Sequence, residues 1–572
     1  MNHLFYGDNL RVMRETLKAE SVDLVYLDPP FNSKRDYNLL FQSPKGQQSE
    51  AQITAFKDSW HWGEQAESEF HEVLHHENTD VAQMIRAFRA FLKESDMMAY
   101  ITMMANRLLE LQRVLKPTGS LYLHCDPTAS HYLKIVLDGV FGKENFRSEI
   151  NWRRSSAHND AKQGRRLYGN VRDVVFFYTK SSEWTWNWIY TRYSKQYLAS
   201  EYRHRTADGR DFKETDLTAN KPGGDVSFAW RVKREGVEGA RWEADLADEY
   251  LAPRQGTEYL GVQPYRGRYW AYSKANLIDF ANAGKLRHRS TGMPRLIQFA
   301  DEMPGVPLQN DWQDIPPVLG TESLGYDTQK PVALLERIIQ ASSNEGDAIL
   351  DPFCGCGTAV HAAQKLKRKW IGIDITYLAI GLIEKRLNDA FGKDCQFQVH
   401  GTPKDSESAR DLAARDKYQF QWWAVTLVQA QPYQCKKKGA DGGIDGLKFF
   451  YDVKDADARK IVVSVKGGTL KADDIRALNH VREREKADVG ILISLNEPTG
   501  KMKADAASVG FYEWQAGKKK SPRIQLLTIE GLLSGNQAAD HPDYAPNVNF
   551  KKAKRETPNG AQDLFDADAD RD

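Results

Sequence analysis

Along this chain the spacing of apolar residues shifts between strand-like runs, helical periods and irregular stretches, and the shifts divide it into segments. His3–Tyr6 is a short apolar run, Gly7-Asp8-Asn9 opens an amphipathic stretch to Ala19, and Val22–Leu27 is apolar almost throughout. Runs of that kind read as strands buried on both faces of a parallel sheet. Asp28-Pro29-Pro30-Phe31 ends the second run, because two prolines stop a strand. A polar, Trp-bearing insertion covers Ser33–Asn78; Met97–Leu115 has a helical period and closes at Lys116-Pro117-Thr118-Gly119; Ser120–His124 is another strand. Ile150–Arg154 and Val174–Tyr178 read as an antiparallel pair. From Thr179 to Gly325 no period lasts. The rhythm returns with a helix over Pro331–Ala341, strands at Ala348–Leu350 and Trp370–Ile373, and a helix over Tyr377–Leu387. Alternating strands and helices predict an α/β fold. Residues 1–178 and 326–395 are expected to form two halves of one sheet, interrupted by an irregular region at 179–325. A polar linker is expected at 396–417, a second, smaller α/β domain at 418–535 and a disordered tail at 536–572.

Composition narrows the classes without naming a ligand. The 572 residues correspond to three or four domains at about 150 residues each. Lys and Arg nearly cancel Asp and Glu (79 against 78), so a nucleic-acid surface would have to come from local clustering. Five scattered cysteines without a C-x₂-C pair argue against a disulfide framework and against structural zinc. The N-terminus lacks a basic-then-apolar signal pattern, and no uncharged apolar run approaches the ~20 residues of a membrane span. These features lead us to expect a soluble cytoplasmic protein with no membrane partner.

Two motifs carry chemistry. Asp351-Pro352-Phe353-Cys354-Gly355-Cys356-Gly357-Thr358 lies between a strand and a helix, where glycines let backbone approach a ligand and a helix N-terminus favours a carboxylate. Seventeen residues past Gly357, Asp374 ends the next strand, a place from which an acid accepts hydrogen bonds from a ribose diol. Val360 stands where a dinucleotide fingerprint needs its third glycine, which disfavours NAD and FAD. A glycine-rich turn with no ligand has the same local pattern. In Asp28-Pro29-Pro30-Phe31 the carboxylate and the Pro29 carbonyl can accept both hydrogens of an exocyclic amino group, making its nitrogen nucleophilic, and Phe31 offers a face for an extruded base. A strand terminated by prolines and capped by Asp is the plain alternative.

Together, and in this order, these motifs resemble the β-class amino DNA methyltransferases that use S-adenosylmethionine. Tyr6-Gly7-Asp8-Asn9, Glu149–Arg154 and Thr328-Gln329-Lys330-Pro331 also match, so the resemblance covers roughly residues 1–395. It implies a permuted Rossmann-like sheet in which Phe353, Gly355, Gly357 and Thr358 line the methionine end of the cofactor. By the same resemblance Asp351 belongs to the cofactor motif, Asp374 takes the ribose, Asp8 the adenine ring, and Lys330 completes the pocket. Cys356 stands where the family commonly has serine. Asp before the two prolines accompanies adenine N6 in that family, with cytosine N4 as the alternative; cytosine C5 chemistry needs a Pro-Cys pair that this sequence lacks. The implied partner is double-stranded DNA, the implied setting restriction–modification or phage defence in a prokaryote, and a homodimer is compatible with it. The irregular region is where the family recognises its target. With the preceding strand it supplies Arg153, Arg154, Arg165, Arg166, Arg203, Arg205, Arg266 and Arg268, interleaved with Trp152, Trp184, Trp186, Tyr265 and Trp270; surface charge and core aromatics are the plain alternative for at least half of them. An RNA or protein methyltransferase, or a non-catalytic DNA-binding protein, is the competing class of answer.

In the third segment, Gly443-Ile444-Asp445-Gly446 and the strand Ile461–Lys466 resemble the Mrr-like branch of the PD-(D/E)xK nucleases. That resemblance implies Mg²⁺ at Asp445 and water positioning by Lys466; Ser464 occupies the place of a second acid, and Gln421 stands where an upstream acid is often found. A bifunctional methyltransferase–endonuclease and a degenerate DNA-binding domain both remain open. No G-x-x-x-x-G-K-[ST] loop is present, so a translocation motor would be a separate restriction subunit. His71, His75 and His76 read as surface residues. In the tail, Asp563-Leu564-Phe565 resembles the end of a sliding-clamp-binding peptide, departing from it at Ala561 and Gln562.

Overall fold

The structure is a computed structural model. It describes residues 1–30, 61–155, 166, 168–220, 227–247, 254–318, 320–326, 328–433, 443–453, 458–514, 519–542 and 553–556, with backbone alone for 36–42, 48–57 and 321. Phe31, Arg165 and the clamp-like peptide 561–566 lie outside the described residues.

Nine strands form the main sheet: β1 (Asn2–Tyr6), β2 (Val22–Leu27), β3 (Leu115–Cys125), β4 (Phe146–Arg153), β5 (Arg172–Thr179), β6 (Asp311–Trp312), β7 (Ala348–Asp351), β8 (Lys369–Asp374) and β9 (Phe397–His400). Their order is β6-β4-β5-β3-β2-β7-β8-β1-β9. From β3 to β9 every neighbour is parallel. The expected antiparallel pair is present, with Ile150 opposite Val175. The decisive pairing is β2 with β7, in the register Leu24–Ile349 and Val25–Leu350. It brings together two strands more than 300 residues apart in sequence. Both are apolar runs with helices over the sheet, so each needs a neighbour on either edge and burial on both faces. The strand ends at Tyr6, Leu27, Asp351 and Asp374 thus share one edge of the sheet, the edge at which parallel α/β sheets bind ligands.

Helices α1 (Asn9–Thr16), α2 (Asp96–Val114), α3 (Val332–Ser342), α4 (Thr358–Lys365) and α5 (Tyr377–Phe391) accompany this sheet. Helix α2 begins at Ser95, whose hydroxyl accepts from the Met98 N–H, and buries Met98, Ile101, Met104, Leu108 and Leu111. The polar insertion contains a helix that its composition does not announce, Glu64–Leu74, which buries Phe70 and Val73. His71 and His75 lie exposed at its end, as expected.

Compactness divides the chain differently from its periodicity. One unit spans 1–187 and 309–564, and the other is built from Trp188–Leu308. The second unit holds a four-stranded sheet, with Asp211–Asp216 against Pro294–Phe299, and a three-stranded one, with Trp230–Glu235 against Thr257–Val262. Its core gathers Trp230, Val232, Trp270 and Leu277.

The stretch expected as a linker, 396–417, is instead structured. It contributes β9 and the helix Ser406–Arg415, which is capped by Asp405 and buries Ala409 and Leu412. Those two side chains join the core of the C-terminal domain, whose strands β10 (Gln431–Pro432), β11 (Gly446–Phe450), β12 (Arg459–Lys466), β13 (Val489–Ser494) and β14 (Ile524–Thr528) pair in that order. The expected disordered tail also has placed pieces. Gln525 Nε2 donates to the Asp540 carbonyl (2.6 Å). The Glu556 N–H donates to the Ala390 carbonyl (2.9 Å), and the Glu556 carboxylate meets His361 (3.2 Å). Among the described residues no helix is long and apolar enough to cross a membrane.

Candidate active site

The four strand ends open into one cavity. It is lined by Gly7, Asp8 and Asn9 after β1, by Asp28, Pro29 and Pro30 after β2, by Asp351 to Cys356 after β7, and by Asp374 to Thr376 after β8. Thr358, Tyr326, Thr328 and Lys330 complete the wall. Of the residues expected to bind cofactor, Asp8, Lys330, Asp351, Phe353, Gly355, Thr358 and Asp374 are there together. Gly357 is not among the lining residues. Its φ of +75° and the 2.8 Å approach of an added Cβ to Ile383 assign it to the turn and to helix packing. Gly355, with φ of +52°, does face the cavity, where an added Cβ would sit 3.5 Å from Tyr326.

Hydrogen bonds fix the acids. One oxygen of Asp374 accepts from the Gly355 N–H (2.9 Å), and the other from the Thr376 N–H (2.9 Å) and hydroxyl (3.0 Å). Burial nevertheless pushes its carboxyl up to about 6, against the pull of these donors. Asp351 accepts from the Phe353 N–H (3.1 Å) and is driven well above the usual carboxylate range, first by burial and then by the charges of Asp28 and Asp374. Asp8 caps α1 through the Arg11 N–H (3.0 Å) and pairs with Arg107 (2.8 Å). Asp28 pairs through Oδ2 with Lys330, while its Oδ1 is buried without a hydrogen-bond partner among the described residues. Four acids thus face two cations across the cavity. Such an acceptor-rich wall fits a ligand carrying positive charge and hydroxyl donors, as S-adenosylmethionine does with its sulfonium, ammonium and ribose.

Several supporting residues carry no local sequence signal. Asn9 donates to the Pro352 carbonyl (2.9 Å) and accepts from Arg107 Nε (2.6 Å), tying the first strand end to the third. Buried Arg386 on α5 donates to the Cys356 carbonyl (3.0 Å) and to the Thr358 hydroxyl (3.1 Å), so it holds the glycine-rich turn from behind. Tyr26, on the cavity wall, is 3.0 Å from His124 Nδ1, and His124 Nε2 is 3.2 Å from Asp173.

The expected recognition residues separate by environment. Trp152 and Trp270 are core residues, their N–H groups given to the Ile315 and Phe228 carbonyls. Trp184 lies against the Arg147 guanidinium, Arg154 pairs with Asp173 (3.3 Å), and Arg205 pairs with Asp211 (3.1 Å). Trp186, Tyr265 and Arg166 are exposed.

In the C-terminal domain Asp445, Ser464 and Lys466 are near one another. The Asp445 carboxylate accepts from the Val465 N–H (2.6 Å) and the Ser464 hydroxyl (3.3 Å), and Lys466 pairs with Asp474 (3.2 Å). No group of three or more potential metal ligands forms among the described residues. Asp445 fastens a turn to β12, and among the described residues no second acid joins it in a metal-binding group, so this donor set does not fit Mg²⁺.

Comparison with known proteins agrees with both halves. A family model described as DNA methylase, of the N6/N4 type, matches residues 22–385. One described as NACHT-associated inactive restriction endonuclease matches 421–534. The type II methyltransferase M.EcaI of Enterobacter cloacae is 30% identical over 290 residues, covering 50% of this chain and 57% of its own. The Mod subunit of the type III restriction-modification enzyme StyLTI of Salmonella typhimurium is 23% identical over 391 residues, 64% of this chain and 50% of its own. The DNA adenine methyltransferase YhdJ of Escherichia coli is 51% identical over 77 residues, 13% of this chain and 26% of its own. The chain thus spans about half the length of the first two relatives.

Proposed function

The chain belongs to the DNA methylase family, and on that premise we propose that it methylates adenine N6 in double-stranded DNA with S-adenosylmethionine as donor. The observation that carries this reading is the buried, unpartnered Asp28 Oδ1 at the end of β2, across one cavity from the Gly355 turn and Asp374. When bound, the cofactor supplies a methyl carbon activated by its sulfonium. Asp374 would accept from its ribose hydroxyls, and the Gly355 turn would let the backbone approach its methionine end. Asp28 Oδ1 and the Pro29 carbonyl accept the two amino hydrogens of an extruded adenine, which frees the nitrogen lone pair. Asp before the prolines and the name of the adenine-specific relative both favour adenine N6 over cytosine N4.

The same reading places the protein in restriction–modification, as the relatives' names suggest, with cleavage supplied by a separate subunit. The C-terminal domain is then a non-cutting DNA-binding or docking module, supported by the use of Asp445 Oδ2 as an acceptor for β12 and by the inactive-endonuclease match. Asp28→Ala tests the core of the proposal. Methyl transfer to DNA should vanish, while cofactor affinity measured by calorimetry stays within about threefold, since the residue contacts the target. Retained methylation, or loss of cofactor binding in parallel, would contradict it.

A further inference from the structure

Lys330 lines the cavity as expected, and within it the ammonium is committed to one particular neighbour. Its Nζ donates to Asp28 Oδ2, with the Thr328 carbonyl at 3.4 Å. Both side chains are mostly buried, at 10% exposure for Lys330 and 17% for Asp28. We propose that Lys330 is a positioning residue for methyl transfer, which holds Asp28 by one oxygen and leaves the other as the fixed acceptor for the target amino group. This inference rests on the function proposed above and assigns a residue that acts through Asp28.

Both partners are braced on the backbone side. Asp28 follows fully buried Leu27 and precedes a proline, which confines its backbone to an extended conformation. Lys330 is confined in the same way by Pro331. The turn before it is tied by Gln329, whose side chain donates to the Glu322 carbonyl (2.8 Å) and accepts from the Leu324 N–H (2.8 Å). Glu322 in turn accepts from the Val332 N–H (2.7 Å). The ammonium therefore arrives at Asp28 from a fixed direction.

A carboxylate has two equivalent oxygens and rotates readily; engaging one of them with a charged donor removes that freedom. The structure shows that state: Asp28 lines the cavity with Oδ2 occupied by the ammonium and Oδ1 buried without a hydrogen-bond partner among the described residues. Lys330 also offsets the charge of Asp28, which otherwise acts on the neighbouring Asp351 carboxyl. Without the ammonium, Asp28 has no reason to keep Oδ1 aimed at the target nitrogen. Displacement of a reacting partner by about 1 Å is enough to cost on the order of 100-fold in rate.

The test uses the full-length protein carrying Lys330→Met and Lys330→Arg. Cofactor affinity is measured by calorimetry without DNA, and single-turnover methyl transfer at saturating cofactor and DNA. Lys330→Met should slow transfer about 10- to 100-fold while the cofactor Kd stays within about threefold. Lys330→Arg, which keeps the charge, should recover a large part of the rate. If Lys330→Met instead raises the cofactor Kd and leaves the saturated rate unchanged, Lys330 is a cofactor-binding residue and the proposal is overturned. Should Lys330→Met fail to fold, Lys330→Gln takes its place: a reduced rate at unchanged cofactor Kd supports positioning, and a raised Kd at unchanged rate overturns it. Wild-type protein that methylates no DNA would overturn the parent reading as well, which separates the two failures.

Discussion

Replacing Asp374 by Asn separates what this acid does for the fold from what it does for the ligand. In the native site two donors from Thr376 meet one oxygen and the Gly355 N–H meets the other. An amide would turn its oxygen toward the Thr376 pair and leave its NH₂ facing the Gly355 N–H. That leaves the half-buried Gly355 N–H without an acceptor, a cost of about 1–3 kcal/mol. Against this, burial raises Asp374 from 3.8 to about 6, so keeping it ionised costs about 3 kcal/mol that Asn does not incur. The two effects nearly cancel, and Tm should move by roughly a few degrees at most. Cofactor binding has no such offset. Losing a charged acceptor for the ribose hydroxyls should raise the cofactor Kd about 10- to 150-fold by calorimetry at pH 8. In the wild type the affinity should also fall as pH drops through about 6, because the protonated carboxyl accepts less well, and in Asp374→Asn this dependence should flatten. The stability sign is opposite. The folded-state value lies above the unfolded one, so this group's contribution to stability grows as pH falls from above 6 toward 4. A Kd within twofold of wild type would refute the ribose contact, and a Tm loss above roughly 10 °C would refute the cancellation.

Arg386→Met should remove the brace behind the glycine-rich turn and cost about 2–4 kcal/mol by denaturant titration, since the Cys356 carbonyl and Thr358 hydroxyl lose their donor; an unchanged midpoint would contradict that role. Purified protein with Mg²⁺ and plasmid DNA should show no cleavage, and Lys466→Ala should leave methylation unchanged; a Mg²⁺-dependent nick abolished by Lys466→Ala would return the C-terminal domain to the nucleases.

How much of this was legible in the sequence follows from the range of each interaction. Asp28, Gly355 and Asp374 announce themselves because a proline pair, a glycine turn and a strand-ending acid each have a local chemical meaning. Arg107 and Asn9 do not, being 98 residues apart and meaningful only once β1 and β7 share an edge. Arg386 lies on an amphipathic helix, where a charge ordinarily reads as solvated, yet it points inward to the turn 30 residues earlier. Trp152 and Trp270 could have stacked on bases or filled a core, and the core holds both; the residue type alone is the same in either place. The 396–417 stretch reads as polar because its helix buries only Ala409 and Leu412. Gly357 was grouped with Gly355 by the family resemblance, although an added Cβ there would meet Ile383 on the next helix.

The central claim is the identity of the methylated atom. Nucleoside mass spectrometry of DNA from cells expressing the wild-type protein, set against cells expressing Asp28→Ala, measures it directly. We predict N6-methyladenine with the wild type and none with the variant; N4-methylcytosine in its place, or no modified base in either sample, would contradict the account.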